Sequence, residues 1–82
     1  MSVQIYTTPT CKWCKMLKEY LDTNNVSYQN FDVSKDRYSA LEMIKKSGQS
    51  AVPVIDINNN IIVGFDKEQI DMYLNQQITC SL

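Results

Sequence analysis

The sequence predicts an α/β domain with one mixed four-stranded sheet and three helices. A strand, a helix and a second strand follow one another over residues 3–33, and a connection of this length implies parallel pairing with a right-handed crossover. Two further β-like runs flank Asn58-Asn59-Asn60, which predicts an antiparallel hairpin. With 82 residues, we expect residues 1–82 to form a single domain.

The first half of the chain contains two strands and the helix that joins them. Val3–Thr7 is rich in β-branched and aromatic residues, and Pro9 ends this strand. Val26–Val33 alternates apolar and polar residues, as a strand does. Between them a helix is predicted from about Lys12 to Asn24, with an apolar stripe that comprises Trp13, Met16, Leu17, Tyr20 and Leu21.

The second helix is predicted from its cap and its apolar spacing. Ser34 is a suitable N-cap for a helix from about Lys35 to Ser47, and Gly48 is suited to end it. The predicted buried face comprises Leu41 and Ile44, together with Tyr38 or Ala40.

The C-terminal part is predicted to form the hairpin and the last helix. Its strands are Val52–Ile57 and Ile61–Val63. Asp66 is the expected N-cap of helix three, with Gln69 completing a capping box. The inward residues of that helix are Ile70, Tyr73 and Leu74, and residues 77–82 are expected to be a frayed tail.

The overall charge argues against two classes of partner. The net charge is −1, and the sequence has no block of like charges, so we expect neither nucleic-acid binding nor attraction to an anionic membrane surface. The longest apolar runs, such as Ile61–Val63, are far below the length of a spanning helix. The chain begins with a strand pattern instead of a signal peptide, and we expect a cytoplasmic protein.

The cysteines carry the predicted chemistry. Cys11 and Cys14 form a C-x-x-C pair at the start of the first helix, and the sequence has no histidine. One helical turn separates Cα atoms by about 5 to 6 Å, within disulfide range. The helix N-terminus and neighbouring lysines stabilise a thiolate, so Cys11 is the expected nucleophile. Cys14 shares the core-facing stripe of Leu17 and is the expected resolving thiol.

Other interpretations of the cysteine pair stay open at this point. The same spacing occurs in structural zinc sites, although zinc needs four ligands and Cys80 is the one remaining thiol. An inert pair of core cysteines is the other alternative. Cys80 itself is expected to be an exposed tail thiol, with a regulatory or intermolecular disulfide as the alternative.

Two further segments lie at strand ends, where ligands bind in such sheets. Pro53 follows Val52 and is either an ordinary strand-starting proline or a cis-proline that turns the backbone of Val52 toward a ligand. Gly64-Phe65-Asp66 is either a plain strand-to-helix turn or part of a binding corner.

The segments Tyr6–Cys14, Ala51-Val52-Pro53 and Gly64-Phe65-Asp66 together resemble a glutaredoxin in order and spacing, and the likeness covers nearly the whole chain. Within that family the chain looks most like the small dithiol glutaredoxin-like proteins of the YruB type. The resemblance implies a thioredoxin fold with strand order 2-1-3-4 and an antiparallel third strand. It also implies that Pro53 is cis and lies opposite the thiols.

The activity implied by the resemblance is thiol–disulfide exchange, in which Cys11 attacks a disulfide and Cys14 resolves the mixed disulfide. A Cys11–Cys14 disulfide results. Glutathione or thioredoxin reductase would supply electrons, protein disulfides would be substrates, and the chain would act as a monomer without a tightly bound cofactor. The alternative is an iron–sulfur or metal-handling module, in which Cys11 thiolates of two chains and external thiols hold a cluster.

The resemblance also implies a glutathione site, and the chain fits it only in part. Val52, Asp66 and Gly64 fit the expected roles, and Trp13 stands in place of the usual tyrosine. The positions that depart from the common pattern are Thr8, Lys12, Ala51 and Phe65. The glycine and phenylalanine at positions 64 and 65 resemble the same corner in the glutaredoxin-like reductants that thioredoxin reductase recycles.

Overall fold

The computed structural model describes residues 2–79, and the strands and helices follow in the predicted order. The strands are β1 (Val3–Thr7), β2 (Gln29–Asp32), β3 (Val54–Ile57) and β4 (Asn60–Val63). The helices are α1 (Lys12–Thr23), α2 (Arg37–Ser47) and α3 (Lys67–Thr79). No helix in this described part of the chain is long and apolar enough to cross a membrane.

The strands form one mixed sheet in the order β2-β1-β3-β4, which confirms the order implied by the resemblance. β1 is parallel to β2 and antiparallel to β3, and β3 is antiparallel to β4. Val54, at the start of β3, pairs with Tyr6 near the end of β1 and with Val63 at the end of β4. The register therefore brings the loop after β1, the segment before β3 and the loop after β4 to one edge of the sheet.

The main core lies between one face of the sheet and helices α1 and α3. Its buried residues are Val3, Ile5, Leu17, Leu21, Ile55, Ile57, Ile62 and Ile70. Tyr73 and Leu74 pack against this cluster, so the predicted inward face of helix three is confirmed. On α1 the residues that are buried are Cys14, Leu17 and Leu21, whereas Trp13 and Met16 of the predicted stripe are exposed.

Two strands are shorter than predicted. β2 begins at Gln29 instead of Val26 because the Val26 backbone N–H donates to the Leu21 carbonyl (2.9 Å) and closes the end of α1. β3 begins at Val54 instead of Val52, and the peptide bond between Val52 and Pro53 is cis. The cis isomer implied by the resemblance is thus confirmed.

The cap of α2 is Asp36, and the prediction of Ser34 is wrong. Asp36 Oδ1 accepts the Tyr38 backbone N–H at 3.0 Å, and Asp36 Oδ2 accepts the Ser39 hydroxyl at 2.8 Å. Ser34 instead donates its hydroxyl and its N–H to the Asp32 carboxylate, which forms a turn before the helix. Gly48 ends α2 with a positive φ of 74°, as expected for a left-handed cap.

The predicted buried face of α2 is also wrong. Tyr38, Leu41 and Ile44 are 85%, 59% and 42% exposed. Ser39 and Met43 are buried instead, and Met43 packs in a second cluster with Tyr6 and Val54 on the other face of the sheet.

A buried polar network explains why α2 turns a less apolar face inward. Lys46 Nζ donates to Asp56 Oδ2 (2.8 Å), to the Tyr6 hydroxyl (2.8 Å) and to Gln4 Oε1 (3.1 Å). Burial alone would lower the pKa of Lys46, but the hydrogen bonds to Asp56 and Tyr6 and the charge of Asp56 raise it to about 12. Lys46 therefore stays charged and neutralises a carboxylate that is 5% exposed.

Helix α3 begins at the predicted cap. Asp66 Oδ1 accepts the Gln69 backbone N–H at 3.2 Å. The Gln69 side-chain amide donates to Asp66 Oδ2 at 3.1 Å, where a complete capping box would direct it to the backbone of the cap residue. Residues 77–79 of the expected tail are helical, and Cys80 lies outside the described residues.

The orientation of α2 leads to a stability prediction. We expect Met43→Ala to lower the free energy of unfolding by about 2 to 3 kcal/mol because it leaves a cavity under the helix. Leu41→Ala, on the exposed side of the same helix, is the matched control and should change it by less than about 0.5 kcal/mol. Urea denaturation of both variants measures the difference, and a larger loss for Leu41→Ala would contradict the observed orientation.

Candidate functional site

Three loops meet at the edge of the sheet where β1 and β4 end. One carries Cys11 after β1, the second contains the cis peptide bond of Val52 and Pro53, and the third follows β4. The Gly64 backbone N–H donates to the Pro53 carbonyl at 2.8 Å and ties the second loop to the third. Gly64 has a φ of 85°, a conformation that glycine adopts without the steric cost of a side chain.

Cys11 is the N-cap residue of α1. Its backbone is extended, with φ −87° and ψ 117°, and its Sγ accepts the Cys14 backbone N–H at 3.2 Å. The Cys11 backbone N–H donates to the Thr8 carbonyl at 3.3 Å, which fixes the loop before the helix. The side chain is partly exposed. The Cys11 sulfur thus receives the Cys14 N–H and lies at the positive end of the helix dipole.

Cys14 lies one turn further along α1 and is 1% exposed. Burial raises the pKa of the Cys14 thiol to about 12, and the hydrogen bond to the Cys11 sulfur acts in the same direction. The Thr8 backbone opposes this shift without reversing it. Cys14 is therefore a protonated thiol at neutral pH, and the two sulfurs differ both in exposure and in environment.

A groove of about 260 Å³ lies beside the cis-proline and is lined by Trp13, Val52, Pro53, Gly64 and Phe65. All five residues were predicted from the sequence as site residues, and the fold brings them together from three separate segments. The Trp13 side chain is 55% exposed. The groove therefore offers an open aromatic surface next to the cysteine pair.

The other predicted site residues lie around this groove without lining it. Thr8 holds the backbone of Cys11, and Lys12 is exposed on the first turn of α1. Ala51 is exposed, and its backbone N–H and carbonyl are both bound by the Gln49 side chain. Asp66 uses both carboxylate oxygens to bind Gln69.

The backbone of Val52 is available for binding. Within the part of the chain that the structure describes, neither its N–H nor its carbonyl has a hydrogen-bond partner. Val52 stands directly before the cis bond, at the wall of the groove. An extended peptide lying there would find one donor and one acceptor, as it would at a sheet edge.

Sequence reasoning missed a set of residues beside this site. Met16 and Tyr20 were predicted only as members of the apolar stripe of α1; Tyr20 packs against the main core, and both residues line a second depression between α1 and α3 together with Phe65 and Lys67. The available signal was the width of the apolar stripe on α1, which includes more positions than one buried face needs.

Residues 2–79 contain no group of three or more histidine, cysteine, aspartate or glutamate side chains placed to hold a metal ion. A cluster shared between two chains would draw on Cys11 thiolates and on external thiols. This alternative stays a prediction.

Comparison with known proteins gives consistent results. The family model described as Glutaredoxin matches residues 3–62. The glutaredoxin-like 8.6 kDa protein in the rubredoxin operon of Clostridium pasteurianum is 47% identical over 74 residues, which cover 90% of this chain and 99% of that relative. Glutaredoxin 3 of Escherichia coli K12 is 38% identical over 65 residues, which cover 79% of this chain and 78% of that relative.

Solved structures agree with the sequence relatives. A mutant of the thioredoxin-like protein BC3987 superposes with a TM-score of 0.86 at 31% identity, and the match covers 90% of this chain and 95% of that one. The glutaredoxin of Archaeoglobus fulgidus superposes with a TM-score of 0.82 at 22% identity, covering 89% and 85% of the two chains. At that identity the likeness concerns the fold alone.

The different environments of the two thiols predict different alkylation rates. In a Cys80→Ser background, we expect the Cys14→Ser variant, which keeps Cys11, to react with iodoacetamide at pH 7.5 about tenfold or more faster than Cys11→Ser. The reason is that Cys14 remains buried and protonated when Cys11 is replaced. Mass spectrometry follows the reaction. In 8 M urea, where we expect the chain to be unfolded, the two variants should react alike, and equal rates in the folded proteins would contradict the assignment.

Proposed function

The chain belongs to the glutaredoxin family of thiol oxidoreductases, and from that premise we propose that it reduces protein and mixed disulfides by a dithiol mechanism. The observation that carries the proposal is the contrast between the two sulfurs. Cys11 Sγ is a partly exposed helix cap that accepts an N–H at 3.2 Å, whereas Cys14 is buried and its pKa is raised to about 12.

In the proposed reaction the Cys11 thiolate attacks one sulfur of the substrate disulfide. A Cys11–substrate disulfide forms, and the second substrate sulfur leaves as a thiolate. Cys14 then loses its proton to the departing thiolate and attacks the Cys11 sulfur, which releases the remaining substrate thiolate. The substrate gains two electrons and becomes one thiol and one thiolate, which takes a proton from water according to its pKa, and the chain is left with a Cys11–Cys14 disulfide.

The groove supplies the binding surface in this proposal. Val52 offers an N–H and a carbonyl that no described residue binds, beside the cis bond, and these suit the extended backbone of a substrate. Trp13 and Phe65 line the same groove and provide apolar contact area on either side of it. The substrate disulfide would thereby be held close to the exposed sulfur of Cys11.

For the electron donor we propose a flavoprotein of the thioredoxin reductase type, with glutathione as the competing co-substrate. Phe65 occupies the corner where a second glycine is common in glutathione-using members, and Thr8 stands where a lysine is common. Asp66, the residue that favours glutathione, already binds the Gln69 backbone and side chain. We further propose that the protein acts as a monomer, without a tightly bound cofactor, in the reducing cytoplasm.

The mechanism predicts opposite outcomes for the two cysteine variants. Cys14→Ser should accumulate a mixed disulfide between Cys11 and the substrate, because the resolving thiol is gone. Cys11→Ser should form none. Non-reducing mass spectrometry after addition of an insulin disulfide substrate measures both. If Cys14→Ser turned the substrate over as fast as the unmodified chain, a monothiol route would replace the dithiol mechanism.

The donor is tested by a coupled NADPH assay. We expect oxidised protein to be reduced at least about tenfold faster by thioredoxin reductase than by glutathione with its reductase, because Phe65 and Thr8 depart from the pattern of glutathione-using members. The same protein with Phe65→Gly and Thr8→Lys is the matched comparison and should gain rate with glutathione. Faster reduction of the unmodified chain by glutathione would reverse the donor assignment.

A further inference from the structure

A second groove adjoins the one beside the cis-proline and plays no part in the mechanism above. It has a volume of about 290 Å³ and runs between α1 and the start of α3. Phe65 lines both grooves. The residues that line the second groove are Met16, Glu19, Tyr20, Thr23, Asn24, Phe65 and Lys67.

One stripe of α1 connects the two grooves. Trp13, in the first groove, is followed at helical spacing by Met16 and Tyr20 in the second. Trp13 is 55% exposed and Met16 is 36% exposed. Tyr20 lies seven positions after Trp13 in the helix, a rise of about 10 Å, which is the length of about three residues of extended chain. A polypeptide held at Cys11 would therefore reach the second groove within a few residues.

The second groove has a positive charge at Lys67 and a negative charge at Glu19 on its α1 side. Lys67 Nζ lies 5.5 Å from the centre of the Tyr20 ring and 5.8 Å from that of Phe65, and the two rings meet edge to face at 5.7 Å. The Tyr20 hydroxyl donates to Asp71 and holds the ring in place. Among the described residues Lys67 makes no ion pair, and its ammonium group lies over the two rings.

We propose that the second groove is a specificity subsite for disulfide-containing protein substrates, and that it receives an acidic side chain three to four residues from the attacked cysteine. Lys67 binds the carboxylate, and Met16 with Phe65 contacts the adjoining backbone and apolar atoms. Glu19, on the α1 side of the groove, directs the acidic group toward Lys67. The inference rests on the proposed reductase function. The subsite would distinguish peptide disulfides from small disulfides, because a small disulfide fills the first groove alone.

A charge-swap experiment tests this subsite. The probes are symmetric disulfides of short peptides, and each peptide has a single cysteine. One variable residue stands three or four positions before or after that cysteine. This residue is glutamate, glutamine or lysine. Pre-reduced protein is mixed with each probe in a single turnover, and the fluorescence of Trp13, the one tryptophan of the chain, follows oxidation. Glutathione disulfide serves as the small disulfide.

With the variable residue at one of its tested distances from the cysteine, we expect the glutamate peptide to be reduced about fivefold faster than the lysine peptide at low ionic strength. Lys67→Glu should reverse this preference and leave the rate with glutathione disulfide within about twofold. The variant places an acid in the first turn of α3, where the helix dipole favours it, so it should fold. Lys67→Met should abolish the preference, and 0.5 M salt should reduce it.

Lys45→Glu is the matched control, because it makes the same change of charge on exposed α2, and it should leave the preference unchanged. Equal rates for all peptides, or an equal loss with peptides and with glutathione disulfide in Lys67→Glu, would overturn the subsite while the reductase function stood. If the unmodified chain reduced no disulfide at all, the proposed function would fail and the subsite with it.

Discussion

The hydrogen bond from the Cys14 backbone N–H to the Cys11 sulfur caps helix α1 with the residue that we propose as the nucleophile. Helix N-caps are usually oxygen-bearing side chains, because they bind the free N–H groups of the first turn well. Here a sulfur has that position, although Thr10 is the preceding residue. A neutral thiol is a weak acceptor, whereas a thiolate gains both the N–H and the helix dipole. The local rule for a stable cap is thus broken at the residue that we propose as the nucleophile, and such departures are typical of functional sites.

The sheet register determines what surrounds that sulfur. Because Val54 pairs with both Tyr6 and Val63, the three loops cannot assemble at one edge unless β1, β3 and β4 lie side by side. The sequence alone predicted the helix–strand order, the C-x-x-C turn and the hairpin, since each depends on local spacing and on turn residues. The strand order, the cis isomer and the meeting of Trp13 with Val52 came from the family resemblance, because these features depend on contacts between distant segments.

Helix α2 shows why apolar spacing alone fails. Tyr38, Leu41 and Ile44 form the more apolar stripe, yet they are exposed. The buried side contains Met43 and Ser39, with Lys46 beside them. Polar groups are tolerated there because Asp36 accepts the Ser39 hydroxyl and Asp56, Tyr6 and Gln4 accept from Lys46. The partners of Lys46 lie on β1 and β3, so a pattern read along the helix alone does not reveal them.

Phe65 was predicted as a site residue from the family resemblance, and its contact with Tyr20 and Lys67 was not predicted. Its side chain lines the groove of the cis-proline and also contacts the Tyr20 ring and Lys67. A glycine at this position would remove the side chain that the two grooves share and leave Lys67 with the Tyr20 ring alone. The side chain that departs from the glutathione pattern is therefore the one that gives the surface its length along α1. A surface of that length suits a polypeptide partner better than a tripeptide. Binding orders side chains and loops at a cost in entropy, and the additional contacts offset that cost only for a ligand long enough to make them.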